Sequence, residues 1–283
     1  MIASQLSIIA VPGLPLVQPG DDLPELLSDA LARAGLQLED GDIVVVAQKI
    51  ISKAEGRRVA LSTVTPSPEA IELASATDKE AAVVQLILDE SRQILRHRPG
   101  VLIAEHNCGF ILANAGIDRS NVDPDQDQVL LLPEDPDASA ADLRTALQEM
   151  TGRRLGVVIA DSVGRAWRMG TTGMALGSAG VEALTDLRGE RDLFERELMV
   201  SEHAVADSVA SAAELIMGEA GEGVPVAVVR GLNEGNSEQT ARARVRPADD
   251  DRVRSLRTNA APGRGPVLAG GVGGAKVVEG LAG

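Results

Sequence analysis

Residues 155–165 read LGVVIADSVGR. A continuous apolar run of strand length, rich in β-branched residues, stops at Asp161 and Ser162 and is closed by Gly164. Such a run is the pattern of a strand buried on both faces. The polar pair stands where the strand leaves the core, the place at which open sheets present ligand-binding groups. Two other stretches share the pattern. DIVVVAQK (residues 42–49) contains a β-branched run from Ile43 to Val46 and turns polar at Gln48 and Lys49, where the strand is expected to emerge from the core. VPVAVVRGL (residues 224–232) is a third buried strand.

The intervening segments are helical or irregular. DDLPELLSDALARAG (residues 21–35) opens on acidic residues, places Leu23, Leu26, Leu27 and Leu31 on one face and meets Gly35 after its last turn, the pattern of an amphipathic helix. Residues 67–97 carry helical periodicity with a break near Thr77 and Asp78, and Pro99 and Gly100 end it. Short strands are expected at VLIAE (residues 101–105) and FILAN (residues 110–114), and VLLLP (residues 129–133) is a short apolar segment. One helix starts near Asp137 or Ser139 and is closed by Gly152; another occupies the alanine-rich part of residues 201–223. Residues 170–190 read as a glycine-rich stretch. The strands and helices do not alternate as regular βαβ units, so the expected fold is α+β, with mixed short strands and helices rather than a doubly wound sheet.

Composition narrows the possible partners. The chain has 283 residues, 44% of them hydrophobic, but only one Trp, two Phe and no Tyr, so its core must be built from Val, Leu, Ile and Ala. A formal net charge of −15 repels phosphate backbones at long range and argues against general nucleic-acid binding. An anionic small substrate would need metal cations or a few well-placed Arg and Lys side chains. The opening MIASQLSIIAVPG has no signal-peptide pattern, and no apolar run approaches the roughly 20 residues that span a bilayer. With Cys108 as the single cysteine, the expectation is a cytoplasmic protein in a reducing compartment, with no membrane association.

Several side-chain groups could carry chemistry, each beside a plainer reading. AGIDRSNV (residues 115–122) presents Asp118, Ser120 and Asn121 from a loop, which also describes an Asx-turn. Asp161 and Ser162 offer hard oxygen ligands suited to Mg²⁺ or Mn²⁺ bound together with phosphate. Glu219, in MGEAGEG, could add a third oxygen, with Gly218, Gly221 and Gly223 allowing close backbone approach to a phosphate; the same glycines suit a helix C-cap. Lys53 could neutralise phosphate or simply solvate a surface. Arg165 and Arg168 flank Trp167, either to grip an anion or to stack on the ring. His106 lies two positions before Cys108, an arrangement that serves packing or a nucleophile pair.

Taken in order, GLPLVQPGDDL (13–23), GDIVVVAQKIISKAEGR (41–57), NAGIDRSNV (114–122), VVIADSVGRAWRMG (157–170), ELMVSEHAVADSVASAAELIMGE (197–219) and PVAVVRG (225–231) resemble the F420-0:γ-glutamyl ligase family. The resemblance covers about residues 10–250. It implies the α+β fold of that family and a homodimer. It also implies a GTP-dependent ligase that uses two divalent cations, Mg²⁺ or Mn²⁺, to join the lactyl carboxylate of the F420-0 precursor to the amino group of L-glutamate through an acyl phosphate. Carried over position by position, it puts Leu14, Pro15, Leu16, Val17, Gln48, Lys49, Lys53 and Asn121 on the nucleotide. Met217, Gly218, Ala220, Gly221, Glu222, Gly223 and Val224 join them. Asp118 and Asp161 would hold one metal, and Ser162 and Glu219 would hold or approach the second. The rival reading is a metal-dependent nucleotide hydrolase or phosphotransferase on the same scaffold.

The expected organisation is a ligase-like domain over residues 1–255, a Pro/Gly linker over 256–266 and a glycine-rich tail over 267–283. That tail, VLAGGVGGAK with its flanks, is similar to the start of 2-phospho-L-lactate transferases, which suggests a ligase–transferase fusion. It has neither the spacing of a P-loop nor a Ser or Thr after Lys276. One strand and one turn cannot bury an apolar face, so no working site is expected there.

Overall fold

The computed structural model describes residues 5–119, 127–165, 168–232 and 236–246. In chain order the elements begin with β1 (Ser7–Ala10), α1 (Leu23–Arg33), β2 (Ile43–Ala47), α2 (Gln48–Ala54), β3 (Arg58–Ala60), α3 (Pro68–Thr77) and α4 (Ala81–Asp89). They continue with β4 (Ser91–Arg98), β5 (Val101–His106), β6 (Ile111–Ala113), β7 (Gln128–Leu130), α5 (Pro136–Thr151), β8 (Gly156–Gly164) and β9 (Thr171–Ala179). The last are β10 (Thr185–Asp186), β11 (Glu202–His203), α6 (Val205–Met217) and β12 (Val226–Arg230). The described residues form two compact units. Among those residues, one is drawn from 5–56, 135–161 and 173–244, the other from 57–134, 162–172 and 245–246. No described helix is long and apolar enough to cross a membrane.

The first unit is built on a five-stranded sheet of order β1-β12-β2-β8-β9. β2 and β8 are parallel, whereas β12 runs antiparallel to both β1 and β2. The sheet is therefore mixed, and the fold is α+β without a doubly wound sheet. Strand alternation sorts the apolar side chains onto two faces. Val44, Val46, Val157, Ile159, Val226 and Val228 meet Leu23, Leu27 and Leu31 of α1 and Leu143 and Leu147 of α5. Ile43, Val45, Val158, Ala160, Ala175, Ala227 and Val229 meet Ala206, Val209, Ala210 and Ala213 of α6. Each fully buried Leu or Val contributes about 1.5–3 kcal/mol. The helices start as their sequences dictate. The carboxylates of Asp22 and Asp135 cap α1 and α5 by accepting from Glu25 N and Ala138 N, and Gly152 closes α5 at a φ of 65°.

A strap beyond β12 completes this unit. Gln239 clamps Leu184 through both amide atoms, accepting from its N at 2.9 Å and donating to its O at 3.1 Å. Buried Asp137 accepts from the amides of Ser178 and Ala241. Arg244 reaches Asp207 and the Ala175 carbonyl.

The second unit packs α3 and α4 on a three-stranded sheet of order β4-β5-β6, with β3 and β7 paired separately. One expected element changes here. Helical periodicity was expected through His97, but α4 stops at Asp89 and Ser91–Arg98 is the strand β4, paired antiparallel with β5 from Arg98↔Val101 to Ser91↔His106. The apolar pair Ile94 and Leu95 fits either periodicity. The adjacent run VLIAEH, buried except at its first residue, offers a ladder through the Pro99-Gly100 turn, with Gly100 at a φ of 80°, and that pairing decides the outcome.

A partly buried ionic cluster ties this unit together. Arg57 donates to Glu90 Oε2 at 2.7 Å and to the Leu132 carbonyl at 2.9 Å, and His106 Nε2 stands 3.4 Å from the same carboxylate. Burial alone pushes the Glu90 carboxyl up, but the close approach of the His106 imidazole and the Arg57 charge and hydrogen bond outweigh it and hold the group below its ordinary value. A carboxylate depressed in the folded state contributes stability above its unfolded pKa that is lost as pH falls through the folded value. Stability should therefore drop below the ordinary glutamate value of 4.5. Glu90→Gln should flatten that drop and cost about 1–3 kcal/mol near neutrality. Denaturant titrations at pH 4 and 7 read both effects, and an unchanged acid limb in the variant rejects the role.

Candidate active site

The register of the five-stranded sheet brings four loop segments to one end of it. β2 and β8 pair as far as Ala47↔Ala160, so Gln48 and Asp161 each stand one residue past the last pair. β12 enters at that end: Val226 pairs with Val46, and the Pro225 carbonyl accepts from Ala47 N at 2.8 Å. β1 leaves there, since Ala10 pairs with Ala227 and Val11 N donates to the Val226 carbonyl at 3.0 Å. The segments gathered are thus Pro12–Val17, Gln48–Lys53, the strand position Asp161 and Gly218–Val224. Of the residues singled out in the sequence, Leu14 to Val17, Gln48, Lys49, Lys53, Asp161, Glu219 and the 217–224 loop lie in these segments.

β8 does not stop at Asp161. It runs on to Gly164, so Asp161 and Ser162 lie on a strand that outlasts its neighbour β2. Val157 and Ile159 face the α1/α5 side, while Val158 and Ala160 face the α6 side. Continued alternation puts the half-buried Asp161 on the first side and Ser162 on the second.

The four segments differ in burial. Val17 is buried in the core and Leu14 packs against it, whereas Pro15 and Leu16 are exposed. Gln48 and Lys49 open α2 instead of simply leaving the core, and Gln48 is buried. Its Oε1 accepts from buried Ser52 Oγ at 2.9 Å. Ser52 was not singled out in the sequence, although its spacing of four residues on a helix is the signal that joins it to Gln48. The loop after α6 turns at Gly218, with a φ of 76°, and Glu222 Oε2 accepts from Ala220 N at 2.8 Å. That loop is exposed from Gly218 to Gly223, with Glu219 among its exposed side chains.

Asp118 belongs to the second unit. It is half-buried and held by backbone bonds in both directions with Leu130, at 3.1 and 2.9 Å, just after a turn in which Asn114 and Ala115 adopt left-handed φ values. Asn121, Ser120, Trp167 and the tail from Gly265 to Gly283 lie outside the described residues. Arg165 and Arg168 are exposed. The His106–Cys108 pair proves to be structural: Nδ1 accepts from Cys108 N at 3.0 Å, and the thiol points to the Glu134 carbonyl at 3.5 Å.

Among the described residues, no three His, Cys, Asp or Glu side chains come together as a ready cation cage. The donors at this sheet end are hard oxygens, one carboxylate and one hydroxyl on β8 and a further carboxylate on the loop. That set suits a cation that keeps waters and shares phosphate oxygens, as Mg²⁺ does with one or two protein carboxylates.

The arrangement defines an α+β protein that collects its polar loops at the end of a mixed sheet, with a glycine-rich turn opposite a strand-end carboxylate. The family described as F420-0:gamma-glutamyl ligase matches residues 13–231, from the first of those loops to the end of β12. The chain is 45% identical over 248 residues to the coenzyme F420:L-glutamate ligase of Methanothermobacter thermautotrophicus, covering 87% of this chain and 98% of that protein. It is 46% identical over 227 residues to the enzyme of that name from Methanopyrus kandleri, covering 80% and 87%. To that from Archaeoglobus fulgidus it is 45% identical over 242 residues, covering 84% and 94%. The chain belongs to the F420-0:gamma-glutamyl ligase family.

Proposed function

We propose that this protein is a GTP-dependent ligase that joins the lactyl carboxylate of F420-0 to the α-amino group of L-glutamate in the biosynthesis of coenzyme F420, and that it can add further γ-linked glutamates. The observation that carries this reading is the near-complete coverage of relatives that bear the ligase name, at 45% identity. The family match also spans every loop gathered at the sheet end.

The chemistry sets what the residues must do. A carboxylate resists attack by an amine, so its oxygen first takes the γ-phosphoryl group of GTP and GDP leaves. The amine then attacks the acyl carbon, the C–O bond to phosphate breaks, and the amine proton is lost as the amide forms. No protein nucleophile is needed; positioning and charge neutralisation suffice. Leu14 to Val17, Gln48, Lys49, Lys53, Asn121 and the loop Met217 to Val224 bind the nucleotide. In a chain of net charge −15, Lys49 and Lys53 supply local positive charge for its phosphates. Asp118, Asp161, Ser162 and Glu219 would hold two divalent cations, whose charge would supply the remaining neutralisation. The active form is a homodimer, and the ligase-like domain extends over residues 1–255.

Product analysis by mass spectrometry, with GTP, Mn²⁺, F420-0 and L-glutamate each omitted in turn, tests the reading. Amide product is expected only when all four are present. GDP release that needs neither acceptor nor amine would instead identify a nucleotide hydrolase or phosphotransferase. Lys53→Ala should raise the KM for GTP by about tenfold with a smaller change in kcat, as loss of one charge-assisted phosphate contact implies. Unchanged nucleotide affinity in that variant removes Lys53 from the site.

A further inference from the structure

α2 buries two polar side chains, Gln48 at 2% exposure and Ser52 at 0%. Gln48 is its first residue and stands one position past Ala47↔Ala160, where the pairing of β2 with β8 ends, so it lies at the end of the sheet where the polar loops gather. The bond between the two departs from what other helical hydroxyls in this chain do. Thr77, Thr145, Thr151 and Ser208 each donate to the main-chain carbonyl four residues back, the local bond such side chains ordinarily make. Ser52 donates instead to a side chain four residues back, reaching Gln48 Oε1 at 2.9 Å.

That bond fixes which way the amide is turned. A Gln amide has one acceptor oxygen and an NH2 group with two donors, and its last torsion is broad, so nothing in the side chain itself selects one orientation. With Oε1 held by Ser52, the NH2 group takes the opposite place, and Nε2 has no partner among the described residues. Buried donors are nearly always paired, and leaving one unpaired costs stability without return. An open donor on a side chain this buried is therefore built for an acceptor that a ligand brings. On the proposed reading that ligand is the nucleotide, whose oxygens accept hydrogen bonds. The same amide turned about would present Oε1 to those oxygens, lone pair against lone pair.

We infer, on the strength of the proposed GTP-dependent reading, that Ser52 is a positioning residue: its hydroxyl holds the Gln48 amide so that Nε2 is a fixed donor to an oxygen of the bound nucleotide. Calorimetric titration of the full chain with GTP and Mn²⁺ tests this role. Ser52→Ala should raise the Kd for GTP by about threefold to tenfold, as loss of one neutral hydrogen bond implies, and should raise the KM for GTP with a smaller change in kcat. Gln48→Met, which keeps the length of the side chain and removes the amide, should weaken binding at least as much. In the Gln48→Met chain, Ser52→Ala should then leave the Kd for GTP unchanged, because the hydroxyl acts only through the amide. A wild type that binds no GTP would overturn this role together with the reading on which it rests. GTP binding as tight in Ser52→Ala as in the wild type would overturn the role alone. So would undiminished binding by Gln48→Met, or a further loss from Ser52→Ala in the Gln48→Met chain, which would mark Ser52 as a packing residue.

Discussion

Asp161→Asn should lower kcat for amide formation by at least about a hundredfold while leaving the melting temperature within a degree or two. The magnitude is that of removing one preorganised electrostatic group from a polar reaction site. The substitution keeps shape and removes charge. It also falls one residue beyond the Ala47↔Ala160 pair, where β2 no longer supports β8, so the ladder of the core strands is untouched. Ser162→Ala should cost less, since a neutral hydroxyl contributes less to cation binding than a carboxylate. The two are neighbours that serve one cation site in the proposed reading, so the loss in the double variant should fall short of the sum of the single losses. Measured GDP and amide formation near the wild-type rate in Asp161→Asn would remove the carboxylate from the chemistry.

Much of this site was legible because it lies where strong local signals end. The β-branched runs at Ile43–Val46, Val157–Ala160 and Val226–Val229 read as buried strands, so the polar residues following the first two were expected to stand where the strands leave the core, although β8 itself runs on to Gly164. Gly152 closes α5 as its sequence suggests, whereas the helix starts at Pro136 under an Asp135 cap, ahead of the expected start near Asp137 or Ser139. What the sequence could not carry was register. That β12 arrives antiparallel beside β2, bringing Gly218–Val224 to Gln48, depends on pairing between residues some 180 positions apart. Ser52 was overlooked because a buried serine inside a helix looks unremarkable until its partner Gln48 is known to be buried too. At Ser91–Arg98 the apolar pair was read in the phase of the preceding helix, and only the neighbouring strand resolves it.

The largest gap lay at residues 170–190, which read as glycine-rich and yielded no element. Thr171–Ala179 is in fact a nine-residue strand, buried from Ala175 onward. Glycine inside a strand usually weakens it, but here it marks places where another backbone comes close. A Cβ at Gly173 would lie 2.5 Å from both the carbonyl carbon and oxygen of Ala210 and 2.7 Å from Ser211 N, all backbone atoms of α6. The Gly173 carbonyl accepts from Ser211 Oγ at 2.7 Å, which fixes the approach from the other side. At Gly177 a Cβ would collide with the Pro136 backbone at the start of α5.

Gly173→Ala should therefore destabilise the protein by about 3 kcal/mol, the upper range for overpacking against rigid neighbours. For a chain of this size that is a fall in melting temperature of roughly 6–12 °C. Gly221→Ala, whose Cβ would meet nothing within 4 Å, is the matched control and should melt within about 1–2 °C of wild type. The consequence reaches beyond stability, because α6 ends at Met217 and sets where the Gly218–Val224 loop begins. Any surviving Gly173→Ala protein should also bind GTP more weakly, since pushing α6 off β9 moves that loop away from the sheet end. Equal melting of Gly173→Ala and Gly221→Ala would show that α6 can yield at no cost, and the close approach would then not be what places the loop.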